Sequence, residues 1–219
     1  MIDIRPCSVS DIKNMCNNHH GYGSSGDVFV YKFGVYENDR IVAIYGWNVP
    51  AFGAAKSVCA ECPSAVLALT RMAAIPKSDR ILKHVSKPLM IQMKKLIDRT
   101  RYPVLVTYSD RSMGHTGYVY QCSGWTKTDY NVVPYFEVDG VRVSKYNNGN
   151  TLTHMVKSGY ATIDRWEHWQ CDKGKVVEYM ESSGWTRVES KVKLKSGNQA
   201  FTWSKFSGGT RVSREVTGE

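Results

Sequence analysis

Residues 106–128 read VTYSDRSMGHTGYVYQCSGWTKT, and the order of parts in that stretch decides the fold. The apolar run from Tyr102 to Ser109 has a strand's length and a β-branched core. It stops at an acid, Asp110. Glycines at 114 and 117 flank His115 and let the backbone turn sharply. GYVYQCSGW (residues 117–125) then reads as a short helix closed by Gly124, with the next strand beginning near Trp125. Open sheets present functional side chains at the C-terminal ends of their strands. Asp110 sits at such an end, where a carboxylate serves as a base or a metal ligand. It is equally suited to capping the turn that follows.

Working outward, MIDIRPCSVSDIKNMCNN (1–18) reads as a short strand, a break at Pro6 and a helix capped by Ser8 or Ser10, with Ile12 and Met15 facing inward. HHGYGSSG (19–26) is a loop. Two apolar runs around Glu37-Asn38-Asp39-Arg40 form a β-hairpin. Residues 51–64 are loop-like and carry CAEC, whose Cys59 and Cys62 have zinc-knuckle spacing but no second pair to complete four ligands. The other reading is two half-buried thiols. AVLALTRMAAI (65–75) is a strand ended by Pro76. SKPLMIQMKKLIDRT (86–100) is a helix with Ser86 as N-cap and a basic outer face. The sequence of elements predicts an α+β protein: a mixed β-sheet flanked by helices.

From about residue 136 the texture changes. A hairpin around Asp139-Gly140 is followed by a polar loop, a tryptophan cluster DRWEHWQC (164–171), a helix KVVEYMESSGW (175–185) and a basic hairpin (187–206). We expect 1–135 to be the catalytic domain and 136–219 an α/β extension leaning on it, because its apolar residues are too few for a private core. The tail beyond Phe206 is expected to fray. EYMESSGWTRV (178–188) echoes VYQCSGWTKT (119–128), as two helices with the same glycine stop before a strand would.

The net charge of +9 is unevenly placed. Ten Lys or Arg against three Asp lie between Arg71 and Arg111, and seven against one Glu between Arg187 and Arg214. Clustered positive charge favours a polyanionic partner, through release of counterions, or serves as a solubilising face. No stretch approaches the ~20 consecutive apolar residues of a membrane span, and the first residues lack a signal's apolar core. A cytoplasmic protein with six reduced cysteines and no membrane partner is expected.

The strand, helix, hairpin, strand, helix, strand, helix, strand order resembles the superfamily of the GCN5-related (GNAT) N-acetyltransferases. YSD followed by GHTGYVYQCSGW is similar to the signature of the phage Mom-type DNA-adenine modification proteins. LALTRMAA with Arg71, and HVSKPLMIQMKKLI with Ser86, are similar to two further motifs of that family, and the likeness covers roughly residues 17–130. The resemblance implies an acyltransferase-like fold working on double-stranded DNA inside a bacterial host cell. It would alter the exocyclic amine of adenine by a carbamoylmethyl-type transfer that protects phage DNA from restriction.

It further implies that His19 or His20 fills the family's His-Tyr position, with Tyr22 two residues later. The catalytic set is then Asp110, His20, His19, Tyr120, Tyr118 and Ser109, with His20 and Asp110 as ligands of any divalent metal such as iron. Arg71, Ser86 and Lys87 would bind the donor or its phosphates, although Arg71 is equally suited to a buried ion pair with Asp110. Lys94, Lys95, Arg99, Arg111, Lys193 and Lys195 would contact DNA. The region before the central helix, PKSDRILKHVSKP (76–88), has no glycine turn to cradle a coenzyme A pyrophosphate, so acetyl-CoA is doubtful as donor. Two other functions fit the same fold: a generic acyl-CoA-dependent N-acyltransferase, and a non-catalytic nucleic-acid-binding protein.

Overall fold

The structure, a computed structural model, describes residues 2–20, 28–75, 81–138, 141–143, 156–193, 199–207 and 210–211. The chain begins with β1 (Ile2–Pro6), α1 (Val9–His19) and the hairpin strands β2 (Tyr31–Glu37) and β3 (Arg40–Asn48). Next come α2 (Phe52–Val58), β4 (Val66–Ala74), α3 (Lys87–Arg99), β5 (Val104–Asp110) and α4 (Tyr118–Cys122). β6 (Thr126–Val138), β7 (Val141–Val143), β8 (Val156–Trp169), α5 (Val176–Ser182), β9 (Thr186–Lys193) and β10 (Gln199–Ser204) follow, then the short pair β11 (Phe206–Ser207) and β12 (Thr210–Arg211). Eight strands form one sheet in the order β1-β2-β3-β4-β5-β8-β6-β7. This is the expected α+β mixed sheet flanked by helices.

Local chemistry accounts for several elements. Ser8 caps α1 reciprocally: Asp11 N–H donates to Ser8 Oγ at 3.0 Å, and Ser8 N–H donates to the Asp11 carboxylate at 2.9 Å. Ile12, Met15 and Cys16 then form the buried face of the helix. The β2–β3 turn places Asn38 and Asp39 at φ of 50° and 60°, the left-handed pair that a two-residue hairpin needs and that these two residue types tolerate. α4 and α5 stop in the same way. The Trp125 N–H bonds the Tyr120 carbonyl and the Trp185 N–H bonds the Met180 carbonyl, with Gly124 and Gly184 left-handed between them. The echo noted in the sequence is thus a repeated helix stop.

Three expectations need correction. Ser86 is not an N-cap: the chain is already helical from Ile81, and Leu82–Ser86 forms a π turn that leads into α3, with the Lys87 N–H bonded to the Leu82 carbonyl. Pro88 gives the reason, since in a regular α-helix its ring would strike the carbonyl of His84, and the wider turn takes up that clash. Residues 51–64 are not loop throughout. α2 forms without a side-chain cap because Ala55 is buried with Cys59 and Cys62. The tryptophan cluster at 164–171 belongs largely to a single 14-residue strand, Val156–Trp169, whose partner β6 runs antiparallel to it, with two bulges. The turn expected at 139–140 lies outside the described residues, as do 194–198 of the basic hairpin and 208–209 and 212–219 of the tail; in the part of the tail that is described, Ser207, Thr210 and Arg211 are in strands.

The chain divides into two compact units, each drawing on both sides of residue 136. The first comprises 1–48, 69–93 and 107–167, and the second 49–68, 94–106 and 168–219. Within the first, Ile12, Met15, Cys16, Phe29, Ile44 and Ala73 form one apolar cluster. Trp47 stacks on Trp125 with ring centroids 6.3 Å apart. Within the second, Met180, Trp185 and Trp203 pack with Val66, Val104 and Val106, and Trp203 Nε1 donates to Cys62 Sγ at 3.2 Å.

Candidate active site

The first unit holds a cavity of about 540 Å³, within the range of small-ligand sites. Its walls are the end of α1, the C-terminal halves of β4 and β5, the π turn, and the segment Gly114–Tyr120. Both strands therefore reach it from the same direction, as a helical crossover between them gives. Thr107 Oγ1 donates to the Leu69 carbonyl at 3.0 Å inside this wall.

His20 lines the cavity because α1 ends there. Its backbone is extended, with its N–H still bonded to the Cys16 carbonyl at 2.9 Å. Burial, then the Arg71 guanidinium and His115, lower its imidazole to about 4. It is held neutral at physiological pH. His19 lines the same cavity.

Tyr120 and Ser109 also line it. Tyr120 is buried, hydrogen-bonded to Thr107 and held by the rings of Trp125 and Trp166 at 6.0 and 5.9 Å. Burial raises its phenol, so it stays a hydrogen-bond donor. Ser109 is buried and accepts a 2.9 Å bond from Trp166 Nε1. Tyr118 is half exposed at the rim, its phenol raised by the hydrogen-bonded Cys122 thiol beside it.

Gly117 makes this wall possible. Its φ is +75°, and a Cβ there would lie 2.0 Å from Cζ2 of Trp166. No residue other than glycine fits between the turn and that ring.

The structure does not bring Asp110 to the cavity surface. The residue is 5% exposed, and its Oδ1 accepts from the Ser112 N–H at 2.9 Å and from the Ser112 hydroxyl. That is the capping arrangement, and it fixes the start of the loop whose Gly114–Gly117 segment lines the cavity. His20 is among the residues that line the cavity and Asp110 is not. Among the described residues no three His, Cys, Asp or Glu side chains are grouped to hold a metal ion. Tyr22 lies outside the described residues.

The other expected residues are scattered. Arg71 donates to the Thr70 carbonyl at 2.8 Å and acts on the cavity through its charge on His20. Ser86 is buried, its carbonyl accepting from the Ser123 hydroxyl at 3.2 Å, while Lys87 is exposed; neither lines the cavity. Lys94, Lys95 and Arg99 are exposed on α3, and Lys94 pairs with Asp98 at 3.1 Å. Arg111 grips Asp164 through Nε and Nη2 at 2.7 and 2.6 Å. Lys195 and the side chain of Lys193 lie outside the described residues.

Sequence reasoning passed over His84, which lines the cavity from the π turn. Its Nε2 is 3.2 Å from Glu37, whose carboxyl is lowered to about 2 by Lys83 and then His84. Its only sequence signal was its place two residues before the Ser86-Lys87-Pro88 stretch. His115, expected only to fix the turn, also lines the cavity.

A mixed sheet with helices on it thus opens, at the ends of two central strands, onto a cavity of polar and imidazole groups. The chain belongs to the Mom protein family, whose model matches residues 1–178. It is similar to solved GNAT structures: the ribosomal-protein-S18-alanine N-acetyltransferase from Escherichia coli (12% identity, 79% of this chain and 97% of that one, TM-score 0.48). Another is an N-acetyltransferase from Staphylococcus aureus Mu50 (11%, 78% and 99%, TM-score 0.46). A third is a GNAT family acetyltransferase from Elizabethkingia anophelis with acetyl-CoA bound (14%, 75% and 96%, TM-score 0.42). No curated protein matches the chain. No described helix is long and apolar enough to cross a membrane.

Proposed function

We propose that this protein is a DNA modification enzyme that transfers a small carbon group, of the carbamoylmethyl type, to the exocyclic amine of adenine, and that it protects phage DNA from restriction. The observation that carries this reading is the match to the Mom family over most of the chain, across the segments that line the cavity. The chemistry asks for a group that accepts a proton from the amine as its new bond to carbon forms, and a hydrogen-bond donor for the negative charge that develops on the donor's leaving group as its bond to that carbon breaks. His20, neutral in its site, suits the first task, and the protonated Tyr120 suits the second. His19, Tyr118 and Ser109 complete the surround. Burial, then Arg71, keeps His20 unprotonated, and Arg71 is the nearby cation for an anionic donor. Asp110 acts by holding the 111–117 loop in register. An amine inside a base pair must leave the stack before it reaches any such cavity, at a cost of a few kcal/mol.

The test is direct. The protein is expressed in bacteria, host DNA is digested to nucleosides, and adenosine of altered mass is sought by mass spectrometry. The altered nucleoside should appear with the wild-type chain and vanish with His20→Ala. Unmodified DNA from cells full of folded protein would refute the reading.

A further inference from the structure

The long ribbon β6–β8 carries a surface that the cavity does not use. Tyr160, Thr162, Asp164 and Trp166 alternate along β8 and so share one face. Opposite them on β6 stand Pro134, Val132, Tyr130 and Lys127. The two ends of this face differ. At one end Trp166 is buried, covered by the Gly117 turn, and its indole holds Ser109 in the cavity wall. At the other end the face lies open, with Tyr130, Val132 and Tyr160 exposed by 58%, 57% and 62%. A soluble protein leaves such large apolar side chains clustered in the open chiefly where something docks.

Cations stand among these rings. Arg111 lies over Tyr130 with its guanidinium carbon 5.9 Å from the ring centroid. Lys157 lies over Tyr160 at 4.3 Å and donates to its hydroxyl at 2.6 Å. Lys127 is 2.8 Å from Asp164, a carboxylate only 4% exposed that also takes Arg111. The face thus shows solvent three cations, while its one acid is buried beneath two of them. Tyr130 and the Pro134–Tyr160 pair are four residues apart along β6, or about 13 Å.

We infer that this face is a nucleic-acid surface: a DNA strand leaving the cavity lays unpaired bases on Tyr130 and Tyr160 while Arg111, Lys127 and Lys157 meet its phosphates. Flat rings offer a stacking platform to any base, and interleaved cations track the backbone. The 111–117 loop joins the two sites, since Gly114–Gly117 line the cavity and Arg111 rests on the ribbon. The inference rests on the proposed adenine acceptor.

Fluorescence anisotropy of the full chain with a fluorescein-labelled, adenine-containing DNA strand tests it. Tyr130→Ala and Tyr160→Ala should each weaken binding about tenfold, and Tyr130→Phe and Tyr160→Phe should bind as wild type, since the ring is what stacks. Lys157→Ala should reduce the slope of log affinity against log salt by about one. Thermal melting of each variant reports folding, and the exposed positions should leave it unchanged. Wild-type protein that binds and modifies DNA, with both alanine variants equal to it, would overturn the ribbon assignment and leave the adenine reading standing. Wild-type protein that binds no DNA at low salt would overturn both.

Discussion

Gly114 and Gly117 offer a controlled experiment within one turn. Their φ values are +76° and +75°, so alanine at either position pays the same left-handed backbone cost, about 1–2 kcal/mol. They differ in what the new methyl meets. At Gly114 there is nothing within 4 Å, whereas at Gly117 the methyl would sit 2.0, 2.6 and 2.8 Å from three atoms of the Trp166 indole. That ring is 2% exposed and cannot swing into solvent without losing its bond to Ser109 and its contact with Tyr120. Overpacking of this kind adds roughly 1–3 kcal/mol, so Gly117→Ala should lose about 2–5 kcal/mol in all. At about 2–4 °C per kcal/mol for a chain of this size, calorimetry should show Gly114→Ala melting only a few degrees low and Gly117→Ala about 4–20 °C low. The near-ultraviolet circular dichroism of the second variant should change with the displaced tryptophan. Gly124→Ala, also left-handed with open space around its Cβ, should follow Gly114→Ala. Equal losses at 114 and 117 would refute the claim that the Trp166 contact demands the glycine.

Three further outcomes are expected. His20 has a folded-state value near 4 against an ordinary 6.5, so its neutral form favours folding fully above pH 6.5, and that share is lost as pH falls from 6.5 towards 4. The gap is worth roughly 3 kcal/mol at most, cut to about 1–2 by partial solvent access; urea titrations at pH 7 and pH 4.5 should show the loss, and His20→Gln should diminish it. Asp110→Asn keeps a capping side chain and should melt within about 0.5 kcal/mol of wild type, whereas Asp110→Ala should lose about 1 kcal/mol. The nucleoside assay on the folded Asn variant then reads what the charge itself adds. Ser8→Ala removes one half of the α1 capping box and should cost about 1 kcal/mol by denaturant titration, with no change in DNA modification.

What the sequence alone determined was local. Ser8 with Asp11, Asn38-Asp39, and the two Ser-Gly-Trp stops act through bonds and backbone angles within a few residues, so their outcome does not depend on what packs against them. The strand-turn-helix order at 104–122 was legible for the same reason, and it led to the family. Asp110 is a local case as well, its Oδ1 accepting from Ser112 two residues on, which is the capping reading its sequence position allowed. Tertiary packing decided the rest. Ser86 has a cap's chemistry but lies inside a helix that runs back to Ile81, in a turn whose His84, Val85 and Ser86 are buried. His20, His84 and His115 meet at one cavity from elements nearly a hundred residues apart. The depression of His20 comes from burial and from charges that no spacing rule connects, because desolvation and Coulomb energy depend on distance in space rather than along the chain.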